Sequence, residues 1–280
     1  MRRVFCLIAV FGLLLSGCTK IKLTEKDAFD VKRTIDAQWF RDRSYEFESV
    51  TFISGDSLEL NGWLIQHPQA RGTVLYCGGN GFVMVTSYHI IRSIIEQRVN
   101  LLVFDYRGYG ENPGEPSIAG LQQDAIGAYE FLTGERNISP DSLVIHGHSL
   151  GSYTAAFLAD SKPSKGLVLE CPVTDAKDWT SRLLPWFLKP FVQFDIDSSL
   201  LESSNTKRIA KMQLPLLIIA GEDDQVTPAS MAESLYGISS SEQKELVIIE
   251  NSGHNDLPQK QEYSRALDRF YAKVFDSKDL

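Results

Sequence analysis

Leu143-Val144-Ile145-His146-Gly147-His148-Ser149-Leu150-Gly151 is the stretch that decides how this chain is read. Its first three residues form a short apolar run, and a helix-like segment, 152–160, follows it. Between a buried strand and a helix, glycine-x-serine-x-glycine reads as a nucleophile elbow, a tight turn that presents the serine hydroxyl at the end of a sheet. Gly147 and Gly151 then stand where backbone passes close to backbone around a strained residue, and a Cβ at either would obstruct the turn. A plain glycine-bounded loop would show the same five residues, so the context has to decide.

Outward from the elbow the pattern is regular. Apolar β-rich runs at 73–77, 101–104, 143–145, 166–169, 216–220 and 246–249 alternate with helix patterns at 84–97, 118–132, 152–160, 229–236 and 258–274. Near-continuous apolar strands belong to a parallel sheet covered on both faces. Before them, strand patterns at 46–53 and 58–65 flank Ser54-Gly55-Asp56 and read as an antiparallel hairpin. The expectation is an α/β fold with an eight-stranded, mostly parallel sheet and helices on both faces.

One segment breaks the rhythm. Residues 175–213 are far longer than a crossover needs and carry Trp179, Leu183, Leu184, Trp186, Phe187, Leu188, Phe191 and Phe194. Two readings stand: a helical lid over a site at the carboxyl ends of the strands, or an additional helical layer packed on the core. On the lid reading, Phe82, Trp179, Leu183, Trp186 and Phe187 line a substrate pocket.

A serine hydroxyl needs a base within hydrogen-bond reach, itself oriented by a carboxylate. The later strand ends supply both: Gly221-Glu222-Asp223-Asp224 follows the run 216–220, and Gly253-His254-Asn255-Asp256 follows 246–249. The order serine, acid, histidine differs from the orders of chymotrypsin and subtilisin. His254 is the one histidine at a late strand end. His146 and His148 belong to the elbow and its strand, His89 to a helix pattern and His67 to a turn. No zinc-type spacing is found, so neither metal nor cofactor is expected. The tetrahedral intermediate needs two donors; one is the N–H of Leu150, the residue after the nucleophile, and the other comes from the loop after the third strand.

These motifs resemble the α/β-hydrolase superfamily, and within it the small membrane-associated α/β-hydrolase-domain serine hydrolases. Asp105-Tyr106-Arg107-Gly108-Tyr109-Gly110 followed by Pro113-Gly114 is similar to that group's loop after the fourth strand. The resemblance covers roughly residues 45 to 275 and implies the strand order 1-2-4-3-5-6-7-8, counted from the hairpin. It implies Asp224 as the acid, through the spacing Gly221, Asp224, Pro228; Asp223 and Asp175 are the alternatives. It also implies Asn80 as the second oxyanion donor, in Cys77-Gly78-Gly79-Asn80-Gly81. There Gly78 replaces a histidine that braces the loop in relatives.

At the other end of the chain, Arg2 and Arg3 precede the apolar run 4–15, and Leu15-Ser16-Gly17-Cys18 resembles the bacterial lipobox. The expected organisation is a signal peptide at 1–17, a lipidated tether and amphipathic helix at 18–44, and an α/β-hydrolase domain at 45–280 that includes the 175–213 lid. Lipid on Cys18 would hold the chain on a membrane of a bacterial envelope, the outer membrane facing the periplasm ahead of the inner. The net charge of −8 gives no basic face for nucleic acid. Cys77 and Cys171 fall at ends of strands separated by a third in the implied order, about 10 Å apart, and are read as free buried thiols. The expected chemistry is hydrolysis of a small acyl ester or thioester through an acyl-enzyme on Ser149. A serine peptidase or amide hydrolase, and a non-catalytic envelope lipoprotein on the same fold, are the alternatives.

Overall fold

A computed structural model describes residues 19–23, 47–182, 187, 188 and 190–276. The signal peptide expected at 1–17, Cys18, the amphipathic helix expected within 18–44, Leu183, Leu184 and Trp186 lie outside the described residues. Among those described, the strands in chain order are β1 (Thr19–Leu23), β2 (Phe47–Ile53), β3 (Glu59–Ile65), β4 (Thr73–Cys77), β5 (Asn100–Phe104), β6 (Leu143–His148), β7 (Gly166–Glu170), β8 (Val192–Ile196), β9 (Leu216–Gly221) and β10 (Lys244–Ile249).

Eight of these form one sheet in the order β2-β3-β5-β4-β6-β7-β9-β10. β2 and β3 are the antiparallel hairpin, β3 also runs antiparallel to β5, and every later pairing is parallel. This is the implied order, with β4 and β7 flanking the elbow strand β6. The composition of each strand matches its place. β4, β6, β7 and β9 are buried at every residue, as strands covered on both faces must be. β3 begins by alternating exposed and buried positions, the signature of a strand with one wet face.

Two apolar cores lie on the two faces. One joins the helices Ile118–Glu130, Gly151–Ser161 and Ala229–Ile238 to the sheet, and the other joins Tyr88–Ile95 and Gln261–Tyr271. The last helix buries Tyr263, Ala266, Leu267, Phe270 and Tyr271, a three-and-four spacing that lays one stripe on the sheet. Ser117 starts the helix Ile118–Glu130, its Oγ accepting the Gly120 N–H at 3.0 Å. With the sheet covered in this way, the carboxyl ends of β4, β6, β7, β9 and β10 open toward one side, and the loops that follow them build the site.

Two expectations are corrected. The stretch after Cys18 reads as a polar tether, yet Thr19–Leu23 is a strand that pairs in parallel with β8, Thr19 opposite Val192 and Leu23 opposite Ile196. The 175–213 insertion is not wholly helical: it contains β8 beside the helices Ala176–Arg182, Ser198–Glu202 and Asn205–Ile209. Lys-Ile-Lys and Gln-Phe-Asp alternate polar and apolar residues in register, with exposed Lys22 opposite exposed Asp195. Five residues carry too short an alternation to announce a strand whose partner is some 170 residues away in sequence.

Candidate active site

β6 runs straight into the elbow. Ser149 adopts φ 52°, a left-handed conformation costing about 1–3 kcal/mol for such a residue. The surroundings hold it there: its N–H donates to Glu170 O at 2.9 Å, and its carbonyl accepts the Ser152 N–H at 2.9 Å. The flanking glycines are required by space. A Cβ on Gly147 would lie 2.4 Å from Gly151 O, and one on Gly151 would lie 2.1 Å from Cys77 O. The helix Gly151–Ser161 can therefore pack its first turn directly against the end of β4.

Ser149 Oγ lies 2.8 Å from His254 Nε2, and His254 Nδ1 lies 2.7 Å from Asp224 Oδ2. The three side chains come from the ends of β6, β9 and β10, brought together by the sheet order. Burial works against charge on Asp224, yet the hydrogen bond from His254 and donors from Thr227 hold its carboxyl down at about 2. Its Oδ1 accepts the N–H groups of Val226 at 2.8 Å and Thr227 at 2.9 Å, and its Oδ2 accepts Thr227 Oγ1–H at 2.9 Å. Asp223 is exposed, and Asp175 accepts the Asp178 N–H at 2.8 Å at the start of the helix Ala176–Arg182. The histidine is thus paired with Asp224 and with neither alternative.

A cavity of about 150 Å³ opens at Ser149. Leu150 and Asn80 line it beside the serine, and Tyr153, Val173, Ala176, Trp179, Leu200 and Val226 supply its apolar wall. Trp179, a residue of the expected pocket, lines this cavity, its Nε1–H donating to Val226 O at 3.1 Å. Two further pocket expectations are corrected. Phe82 is buried in the core on the other face, its ring 5.4 Å from that of Tyr76. Phe187 is 55% exposed and outside the cavity lining. The cavity wall instead uses Tyr153, Val173, Leu200 and Val226, which sequence reasoning missed because their apolar character is that of any core residue. A larger cavity of about 300 Å³, lined in part by Trp63, Asp105 and Asn112, shares none of the three polar residues.

Further groups brace the site. Tyr109 Oη–H donates to Asn80 Oδ1 at 2.9 Å, which ties the loop after β5 to the loop after β4. Arg107 anchors the loop after β5 through Asp124 at 2.7 Å and Asp56 at 2.6 Å. His148 is buried, with its ring against Gly79 and Nε2 3.1 Å from His254 O, so it spans the two loops between which the serine sits. Burial, the largest influence, lowers its pKa and keeps the ring neutral. Glu170, wholly buried, accepts Tyr263 Oη–H at 3.0 Å and lies 3.2 Å from His146 Nε2. A lone glutamate at the end of an apolar run, Leu169-Glu170-Cys171, is the signal that marks it.

Among the described residues, His148, Cys171 and His254 bring ligand atoms within 4.8 Å of one another. They fit a metal poorly. Both ring nitrogens of His254 are engaged by Ser149 and Asp224, and burial pushes the Cys171 thiol well above its usual range. Cys77 and Cys171 are free and buried.

Residues 120–278 match the model of the prolyl oligopeptidase family, more than half of the chain. The chain is an α/β-hydrolase of the prolyl oligopeptidase family. An uncharacterized protein of Mycobacterium tuberculosis is 34% identical over 209 residues, 74% of this chain and 72% of that protein. The alpha/beta hydrolase domain-containing protein WAV2 of Arabidopsis thaliana is 30% identical over 217 residues, 73% and 70% of the two chains. Among solved structures, the esterase Pf2001 of Pyrococcus furiosus superposes with a TM-score of 0.71 at 19% identity, covering 88% of this hydrolase and 98% of that chain. That likeness is one of fold.

Proposed function

We propose that this α/β-hydrolase cleaves carboxylic esters or thioesters through an acyl-enzyme on Ser149. The observation that carries the reading is the chain of contacts from Ser149 Oγ through His254 to buried Asp224, 2.8 and 2.7 Å, at the floor of a small apolar cavity. Ser149 Oγ attacks the acyl carbon as its proton passes to His254 Nε2, and Asp224 stabilises the imidazolium that results. The oxyanion is received by the N–H groups of Leu150 and Asn80, each such donor worth about 2.7 to 4 kcal/mol in the transition state. His254 returns the proton to the departing alcohol or thiol. A water then gives a proton to His254 as it attacks the acyl carbon, and His254 passes that proton to the departing Ser149 Oγ, which releases the acid and restores the hydroxyl. The insertion, through Trp179 and Leu200, acts as a lid that shapes the acyl pocket.

The match to the prolyl oligopeptidase family favours a second reading, hydrolysis of a peptide or amide bond by the same three residues. A fluorophosphonate probe labels Ser149 on either reading, and no labelling of the folded protein would overturn both. Turnover of p-nitrophenyl acyl esters without turnover of peptide anilides is the result expected here, and the reverse selects the peptidase. The lipobox-like Leu15-Ser16-Gly17-Cys18 supports acylation of Cys18 and residence on an envelope membrane, the outer one facing the periplasm. Retention of Cys18→Ala protein in membranes would count against it. Among the described residues no helix is long and apolar enough to cross a membrane.

A further inference from the structure

The strand that follows Cys18 is paired with the lid. β1 begins at Thr19, and Thr19 lies opposite Val192, the first residue of β8. Adjacent Cα atoms are about 3.8 Å apart and paired strands about 4.8 Å apart. Thr19, the residue that follows Cys18 in the chain, is therefore held about 5 Å from Val192, and Phe191 is the next residue of the insertion. A lipid on Cys18 has no length of chain with which to stand the lid away from the leaflet.

The surface there is suited to that position. Among the described residues, exposed large apolar side chains are few, and Phe191 (46%), Leu201 (44%) and Val226 (48%) belong to the insertion or the cavity mouth. Leu201 is next to the cavity-lining Leu200, and Val226 both lines the cavity and accepts the Trp179 indole N–H. The helix Ala176–Arg182, which carries Trp179, packs against β8. That helix also packs against the helix Ser198–Glu202, which carries Leu201, so it links β8, Leu201 and the cavity mouth. The exposed charges beside it are of both signs, Asp195 and Asp197 with Lys22 opposite Asp195, so no cationic face marks the patch and its apolar side chains are what it offers a leaflet.

We propose that this rim, Phe191 and Leu201 with Val226 at the cavity mouth, docks on the phospholipid leaflet that holds Cys18, so that Ser149 receives its ester substrate from the membrane. The proposal rests on the reading of Cys18 as lipid-bearing and deepens that of the ester substrate. The cavity, about 150 Å³, is smaller than the 300 Å³ or more usual for a whole ligand, and so takes the acyl segment next to the scissile ester while the remainder stays in the leaflet.

The test uses the full, processed chain in vesicles of phosphatidylethanolamine and phosphatidylglycerol, with an environment-sensitive dye on Phe191→Cys. A control dye is carried by Asp141→Cys, at the opposite end of β6 from Ser149. Cys77 and Cys171 are buried and do not compete for the dye. The dye at position 191 is expected to shift to the blue and to be quenched at least threefold more by spin-labelled lipid than the dye at position 141. Sedimentation with vesicles and the mass of the processed N-terminus report the anchor independently of catalysis. Anchored protein whose 191 dye stays in water overturns the docking proposal alone, and an unmodified Cys18 overturns the anchor reading and the docking with it. A blue shift without vesicles, in a dimer, assigns the rim to a second copy of the chain and likewise overturns it. In the same vesicles, Phe191→Ser with Leu201→Ser should lower hydrolysis of an embedded ester at least tenfold and leave that of p-nitrophenyl acetate within twofold. An equal loss on both esters overturns delivery from the leaflet.

Discussion

The ring of Phe82 lies on the Cα of Gly78: a Cβ built on that glycine would sit 2.4 Å from Phe82 Cγ and 2.7 Å from Phe82 Cβ. The position where relatives of the resembled group place a bracing histidine is thus filled from the other side, by a ring that is itself 6% exposed. The loop keeps a brace, supplied by a residue four places later. Because the clash would involve the root of the ring, Phe82 cannot rotate away cheaply.

The pair should therefore behave as one unit. Phe82→Ala is expected to cost about 3 to 5 kcal/mol of stability, and Gly78→His about 1 to 3 kcal/mol from overpacking. Combining the two should cost at least 1 kcal/mol less than the sum, because the new imidazole enters the space the ring leaves. Urea melts of the four proteins measure this, and strict additivity would show that the two positions do not share that space.

Asp224 Oδ2 lies 2.7 Å from His254 Nδ1. Asp224→Asn should lower kcat on p-nitrophenyl acetate by about 10³ to 10⁴, since the amide favours the wrong imidazole tautomer. Asp223→Asn and Asp175→Asn should each stay within about threefold of the parent. A large loss in either of those, with Asp224→Asn active, would move the acid elsewhere.

Tyr109→Phe removes the hydroxyl that donates to Asn80 Oδ1 at 2.9 Å. A neutral hydrogen bond contributes about 1 kcal/mol, so kcat should fall about fivefold with KM little changed, as expected for looser placement of an oxyanion donor. A rise in KM at constant kcat would make Tyr109 a substrate contact instead.

Two buried carboxyls give opposite pH signatures. Burial, opposed by the Met84 N–H at 2.7 Å, raises Asp105 from its ordinary 3.8 to about 7. The unfolded chain gives up that proton first, so stability falls as pH rises from about 4 to 7. Asp224 is held at about 2, and its contribution is lost as pH falls from about 4 to 2. Asp105→Asn keeps an acceptor for Met84 and cannot ionise. It should flatten the decline between pH 4 and 7 by about 1 kcal/mol or more. Parallel stability curves for the variant and the parent would contradict this.

Much of the fold is legible in the chain because its signals are local. β4, β6, β7 and β9 each hold an unbroken apolar run, 74–77, 143–145, 167–169 and 216–220, and such runs suit strands covered on both faces. The elbow is legible for the same reason, since Gly147 and Gly151 answer clashes within a few residues or with the adjacent strand. Phe82 shows the limit. An aromatic residue two positions after Asn80 suits a pocket wall or a core equally, and only the direction of its ring separates the two. β1 and β8 show it again, each a five-residue strand whose alternation acquires meaning only in register with the other.

The sequence by itself determined the alternation of strands and helices, the elbow at Ser149 and the strand ends from which an acid and a base can come, because each depends on neighbours a few residues away. Only the tertiary structure decided that His254 turns to Asp224 and away from Asp223 and Asp175, that Phe82 braces Gly78, and that the strand after Cys18 belongs to the insertion. Those outcomes depend on side-chain direction and on pairings between distant segments, which strand order and packing fix and which periodicity does not carry.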